Sequence, residues 1–515
     1  MQSDLNQFTG GAPALRVQAV NDREVRADGQ FVLYWMIAAR RSTWNVALDR
    51  AVAWARELER PLVVVESLRV DAPYASARMH RFVLDGMVDN QAAFDASPVL
   101  YHPYIEPRPG VSADFIPALS ADACVVVTDD FPAFFLPAAV RRVAARVPVR
   151  MEAVDGNGVL PLRAADRAFT AAVHYRRHMQ RVLKEHLPMA PAAEPLKGLQ
   201  LPRLSALPPD ILQKWPAVAP DLLTGTPGAL AALPIDHVVA PVSWRGGSRA
   251  ARAALRRFIE SRLDSYHLGH NHPDEAGTSR LSPYLHFGHL SAVEVLDAVL
   301  RHCRWTMGHL PNKATGSRAG WWDVGEGPEA FLDQLVTWRE LAFNTCTFRP
   351  DDYDRFAGLP AWAVETLQAH AGDARPFCYS RAQFESGETH DPLWNAAQRE
   401  MREDGWMHNY MRMLWGKKIL EWSASPEEAL DTMVALMNRW CVDGRDPNSY
   451  AGYMWTLGRY DHPWQERAIY GTVRSMSSVN TAKKVHVARY LSGTHPRMGT
   501  RVAASAALSG LPFDT

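Results

Sequence analysis

A chain of 515 residues with 47% hydrophobic content has the length for two or three globular domains with sizeable cores. Lys plus Arg equals Asp plus Glu at 56 each, so the overall field does not mark a nucleic-acid binder, although a neutral total can conceal a basic face. Five cysteines (Cys124, Cys303, Cys346, Cys378 and Cys441) without a CxxC pair argue against a disulfide framework or a zinc site, so a reducing compartment is the default.

The opening MQSDLNQFTGGAPAL has neither a basic n-region nor an apolar h-region, and the longest apolar run, Phe31 to Ala39, is too short to span a bilayer. The expectation is a soluble, cytoplasmic protein with no membrane contact. From Gln30 to about residue 155, apolar runs FVLYWMIA, PLVVVESL, PVLYHPYI and ACVVVTDD alternate with helical patterns such as Val46 to Leu58. Buried strands separated by helices predict a parallel, doubly wound α/β domain of Rossmann-like type, assigned to 29–165. It holds no GxGxxG or P-loop, which argues against a nucleotide-binding enzyme in its own right.

Prolines crowd the stretch that follows, and 166–245 reads as a proline-rich connector that crosses irregularly between two bodies. After Ser248 the pattern turns helical, beginning with ARAALRRFIESRLDSY, and predicts an all-α domain over 246–495 with a tail at 496–515. Ser425-Pro426-Glu427-Glu428 reads as a capping box, and Leu430, Met433, Val434, Met437 and Cys441 fall on one apolar face behind it.

Three groups of residues carry chemistry. Trp415 and Trp422 are seven apart, so on a helix they share a face about 10 Å apart along the axis, an electron-hopping distance, with Trp394 in DPLW just upstream. On spacing alone such a stripe is core. Thr278, Ser279 and Ser282 offer hydroxyls and N–H groups ahead of a helix, a cradle for a diphosphate, although SxxS is also a common cap. Arg412 and Asp443 are a cation and an anion 31 residues apart on separate elements.

The motifs SRLSPYLHFGHLS (279–291), WRELAFN (338–344), DPLWNAAQ (391–398), MHNYMRMLWGKKILEW (407–422) and DGRDPNSYAGYMW (443–455), with GQFVLYWMIAARR (29–41), resemble the photolyase and cryptochrome family, and within it the class II cyclobutane pyrimidine dimer photolyases. The resemblance implies an N-terminal antenna domain carrying a deazaflavin, a folate or nothing, and a helical domain that binds FAD in a bent conformation. It assigns FAD contacts to Tyr266, Thr278, Ser279, Arg280, Leu281, Ser282, Arg339, Asn344, Arg412, Met437, Asp443 and Asp446, with an Arg412–Asp443 ion pair beside the flavin ring. It also orders an electron relay with Trp415 nearest the flavin, Trp394 intermediate and Trp422 nearest solvent. Trp338, Met413 and Trp455 would cradle a flipped-out dimer. The implied partner is UV-damaged DNA, and the basic residues Arg467, Lys483 and Lys484 are candidates for a local basic patch that would meet it, although a charge run is usually a solvated helix face.

Departures from the family pattern divide the reading. Gln334 stands where class II photolyases carry a glutamate that donates to the dimer, and a glutamine amide donates a hydrogen bond without a proton. Asp333 is one residue away and points about 100° round a regular helix. Met437 stands where the family has an asparagine near flavin N5, and His462-Pro463 stands where it has an arginine that enters the gap left by the flipped bases. The expected activity is light-driven dimer repair. The alternative is a cryptochrome-like blue-light photoreceptor whose flavin reduction is read by an unidentified protein partner.

Overall fold

The computed structural model describes residues 13–498, so the N-terminal leader reading and most of the 496–515 tail lie outside the described residues. Six strands, β1 (Val17–Ala19), β2 (Phe31–Met36), β3 (Leu62–Leu68), β4 (Leu100–Ile105), β5 (Ala123–Asp129) and β6 (Met151–Val154), form one sheet in the order β1-β6-β5-β2-β3-β4. All neighbours run parallel except β1, which is antiparallel to β6. Every residue of β2 and β5 is buried, because helices such as Val46–Glu57 and Ala77–Asp95 cover the sheet. That two-sided burial explains continuous Val-rich runs in place of an alternating pattern. β1 and β6, at three and four residues, are too short for a periodicity to register, and the sequence reading missed them.

The chain winds outward from β2 in both directions, so the order reverses between β2 and β5, and ligands of such sheets sit at the carboxyl ends near that reversal. A cavity of about 690 Å³ opens there, lined by Trp35, Ile37, Ser67 and Phe131 from the strand ends and by His286 and Phe287 from the helical region.

The 166–245 segment differs from an irregular connector in its first third. Ala172–His186 is a 15-residue helix that buries Tyr175, Met179 and Leu183 against the helical region, and its Arg176 forms a buried ion pair with Asp333 at 2.7 Å. Past residue 187 the chain runs through turns and short helices such as Pro209–Lys214 and Pro220–Thr224, and Leu207, Ile211 and Trp215 seal one face of the sheet. Among the described residues no helix is long and apolar enough to cross a membrane.

The remaining chain is helical. Ser425 caps the Pro426–Trp440 helix by accepting from Glu428 N–H at 3.1 Å, which fixes the register that buries Leu430, Met433 and Met437. The two regions are hooked together by charged side chains on backbone groups. Glu340 accepts from Val159 N–H and Leu160 N–H at 2.6 and 3.1 Å, and Arg78 donates to Trp440 O and Arg402 O at 2.6 and 2.7 Å.

Candidate functional site

The Asn409–Trp422 helix organises the site, because it carries Arg412, Met413, Trp415 and Trp422. The sequence pattern left Arg412 and Asp443 as a cation and an anion far apart in the chain. The fold closes them into a pair in which Arg412 Nη2 donates to both carboxylate oxygens, at 2.9 and 2.8 Å, while Ser282 Oγ donates to Asp443 Oδ2 at 2.6 Å. Burial disfavours the charge of the Arg412 guanidinium, but Asp443 outweighs it and raises the arginine above its ordinary range. Asp446 caps the Pro447–Thr456 helix and also meets His286 Nδ1 at 3.1 Å. Burial would raise its carboxyl, yet the His286 hydrogen bond and the nearby charges of His286 and Arg339 hold it below the ordinary value.

The turn from Thr278 to Ser282 departs from the expected cradle in several ways. The helix it opens, Ser282–His286, has only five residues, so its macrodipole is a small attraction for an anion. Arg280 sits at φ 57° and turns its terminal nitrogens to the carbonyl oxygens of Pro496 and Arg497, which leaves its buried Nε without a partner. Leu281 is 1% exposed and belongs to the core, so only its backbone can face a ligand. Asn344 is not brought to this group. Its amide accepts from Phe169 N–H at 3.0 Å and donates to Arg167 O at 2.9 Å, so it brackets the chain before the Ala172–His186 helix. Arg339 is buried, donates to Asn157 O at 2.7 Å and lies over the Phe343 ring. Tyr266 is buried and stacks on His270 at 4.6 Å. Met437 is 2% exposed, packed in the core that contains the relay tryptophans.

His408 is a contributor the sequence reading passed over. Its Nδ1 accepts from Tyr410 N–H at 3.2 Å, so the ring hydrogen sits on Nε2, and that buried nitrogen has no partner. Burial lowers the imidazole to about 4, which keeps it neutral at pH 7. A buried N–H on His408, another on Arg280 and the Ser282–Asp443–Arg412 network form a donor set suited to a phosphate-bearing, polar cofactor.

The tryptophans make a continuous path. Trp394 stacks on Trp415 at 6.3 Å with an interplanar angle of 6°, and meets Trp422 edge-on at 6.0 Å. Trp394, from the Pro392–Asp404 helix, bridges the pair whose sequence spacing first drew notice, and its Nε1 donates to Trp415 O at 3.0 Å. Trp422 is the outer ring of the three but is only 1% exposed, so it does not itself reach solvent. Phe377, Tyr379 and His390 lie outside it.

Gln334 and Trp338 are the only partly exposed residues between 331 and 346, Trp455 is partly exposed between the buried Met454 and Thr456, and Met413 is partly exposed beside the half-buried Arg412. Gln334 and Trp338 lie in a π-helical turn, Asp333–Trp338, in which Arg339 N–H reaches back to Gln334 O. Such turns recur at functional sites, and Asp333 is committed to Arg176. Arg467, Lys483 and Lys484 are exposed. Trp464, also unforeseen, is 41% exposed, with His462 stacked on it at 5.0 Å and Arg474 at 4.6 Å.

Comparison with solved structures places the fold in the photolyase and cryptochrome architecture. A class III photolyase from Agrobacterium tumefaciens superposes with a TM-score of 0.63 at 18% identity, covering 90% of this chain and 86% of that one. A cryptochrome from Synechocystis does so with a TM-score of 0.65 at 14% identity, covering 90% and 88%. No protein-family model matches the chain. Whole-length sequence relatives carry the name deoxyribodipyrimidine photo-lyase: one from Methanothermobacter thermautotrophicus is 33% identical over 93% of this chain and 97% of the relative, and one from Oryza sativa subsp. japonica is 34% identical over 90% and 87%. This chain belongs to the deoxyribodipyrimidine photo-lyase family, and membership implies a flavin cofactor.

Proposed function

We propose that the protein repairs cyclobutane pyrimidine dimers in DNA under blue light as a class II photolyase with FAD as its cofactor. The observation that carries this reading is that Gln334, Trp338, Met413 and Trp455, the residues the resemblance assigns to the dimer, are each partly exposed on helical segments that are otherwise largely buried. Bound FAD supplies light-driven one-electron chemistry. Trp338 and Trp455 offer flat faces for the two flipped bases, and Met413 offers a deformable apolar contact. Gln334 can donate an amide hydrogen to a base carbonyl but has no proton to give.

Tyr266, the 278–282 turn, Arg339, His408 and the Arg412–Asp443 pair would hold the cofactor, with Arg412 supplying positive charge and Asp443 fixing its orientation. The relay from Trp415 through Trp394 to Trp422 would deliver electrons inward to keep it reduced. Trp464, with His462 and Arg474 on its ring, would stack against bases near the lesion, and Arg467, Lys483 and Lys484 would meet the backbone. The 690 Å³ cavity at the strand ends suits an antenna chromophore, a deazaflavin or a folate.

The buried thioether of Met437 and the amide of Gln334 support a second reading, a photoreceptor in which light-driven reduction is the output to a protein partner. The test is repair of a thymine dimer in a single-stranded oligonucleotide by the photoreduced protein, followed as recovery of thymine absorbance. Turnover supports the enzyme. Reduction by light without recovery of absorbance supports the photoreceptor.

A further inference from the structure

The tryptophan path ends short of solvent. Trp394, Trp415 and Trp422 are each at most 1% exposed, so an oxidised Trp422 is screened from external reductants. Two rings stand between Trp422 and solvent. Tyr379 meets it edge-on at 5.8 Å and His390 at 4.9 Å, spacings no longer than the 6.0 and 6.3 Å steps inside the relay. The contact is held by main chain, because Tyr379 N–H donates to Trp422 O at 3.0 Å. Outward, His390 stacks on Phe377 at 3.7 Å, and both are exposed.

Two short polar contacts tie Tyr379 to His390. Tyr379 Oη accepts from His390 N–H at 3.0 Å and lies 2.7 Å from His390 Nδ1. The phenol oxygen keeps a second lone pair, so the short contact serves either direction; in the tautomer with the ring hydrogen on Nε2, Nδ1 accepts the phenol's single hydrogen. In that tautomer the phenol can pass its proton to Nδ1 as it loses an electron. Lys418 Nζ lies 5.3 Å from the Trp422 ring centroid, with Glu421 at 2.5 Å from the ammonium.

We infer that Tyr379, paired with His390, is a redox site at the outer end of the relay, the residue on which the oxidising equivalent comes to rest. The inference depends on the relay reading above. In the step, Tyr379 gives one electron to the Trp422 radical cation, its O–H bond breaks, and the proton passes to His390 Nδ1. The products are intact Trp422, a neutral tyrosyl radical and an imidazolium. One electron from a dissolved thiol-class reductant, with the proton returned from His390, restores the pair. Because the proton has left the phenol, the reverse transfer requires its return, which gives the inward electron time to be used.

Electron paramagnetic resonance on the full-length, FAD-loaded protein, freeze-trapped after a blue flash, tests the assignment. Wild type should show a tyrosyl signal that narrows on ring deuteration of tyrosine. Tyr379→Phe keeps the ring and its packing and should show a tryptophanyl signal whose lifetime is shortened roughly 100-fold, the low end of what a positioned proton acceptor contributes. His390→Gln keeps a hydrogen-bond acceptor without a proton acceptor and should lose the tyrosyl signal likewise. If Trp422→Phe abolishes the long-lived radical while Tyr379→Phe leaves its spectrum and lifetime unchanged, the relay stands and Tyr379 has no part in it. If Trp422→Phe behaves as wild type, the relay reading fails, and this inference with it.

Discussion

Gln334 retains the length and amide donor needed to reach a base carbonyl and lacks the acidic proton that would stabilise a radical anion there. Gln334→Glu is therefore expected to raise the initial rate of dimer repair by roughly 10- to 100-fold, read as recovery of thymine absorbance under blue light. An unchanged rate would place the carbonyl contact elsewhere. Lys417 carries a separate consequence. It is wholly buried, donates to Thr456 O at 2.6 Å and sits 5.0 Å from the Trp455 ring, and burial lowers its ammonium to about 7. The unfolded chain holds that proton up to about 10.4. Below about 7 both states are protonated and the burial penalty is present in full. As pH rises from about 7 toward about 10.4 the folded state is neutral while the unfolded state is still charged, so the penalty fades. Wild type should thus gain stability relative to Lys417→Met across that window, by on the order of a few kcal/mol, in urea denaturation series of the two proteins at matched pH.

At the scale of elements, relay geometry depends on how the Pro392–Asp404 helix begins. Asp391 Oδ1 accepts from Leu393 N–H and Trp394 N–H at 3.0 and 3.1 Å, and Oδ2 takes the Ser478 hydroxyl. The cap places Trp394 in the first turn, against Trp415 and Trp422. Asp391→Ala should cost about 1–2 kcal/mol by thermal or urea unfolding. It should also slow flavin photoreduction measured by visible absorbance, whereas a cap of purely structural effect would leave that rate unchanged. In the π-helical turn Asp333–Trp338, Gln334 and Trp338 stay partly exposed while Asp333 is locked to Arg176.

Across the whole molecule, Glu340 holds the loop after β6 to the helical region through Val159 and Leu160 N–H. Burial raises its carboxyl to about 7, more than those hydrogen bonds lower it. The unfolded carboxyl titrates near about 4.3, so between about 4.3 and 7 the folded state holds the extra proton. The contribution is full below about 4.3 and is lost as pH rises through about 7. Wild type should therefore lose stability relative to Glu340→Gln over that range, by on the order of a few kcal/mol. Parallel slopes in the two proteins would mean that Glu340 ionises freely in the fold.

The sequence by itself determined the α/β sheet followed by a helical region, because two-sided burial writes Val-rich runs and one-sided burial writes helical periodicity, and both are local. The Ser425 cap, the Trp394, Trp415 and Trp422 set and the Arg412 and Asp443 candidates were legible for the same reason: each is a residue type at a fixed spacing. Tertiary structure decided what those residues touch. It joined Ser282 to the Arg412–Asp443 pair, spent Asn344 on backbone groups and buried Leu281, and it turned Arg280 toward residues 496 and 497. It also exposed His408 Nε2 as a bare donor, made a helix of Ala172–His186 inside a proline-rich stretch, and set Tyr379 and His390 beyond Trp422. The Ala172–His186 helix is local and was hidden only by the prolines that follow it, whereas the others join segments distant in the chain or depend on burial, and neither leaves a periodic mark on the sequence.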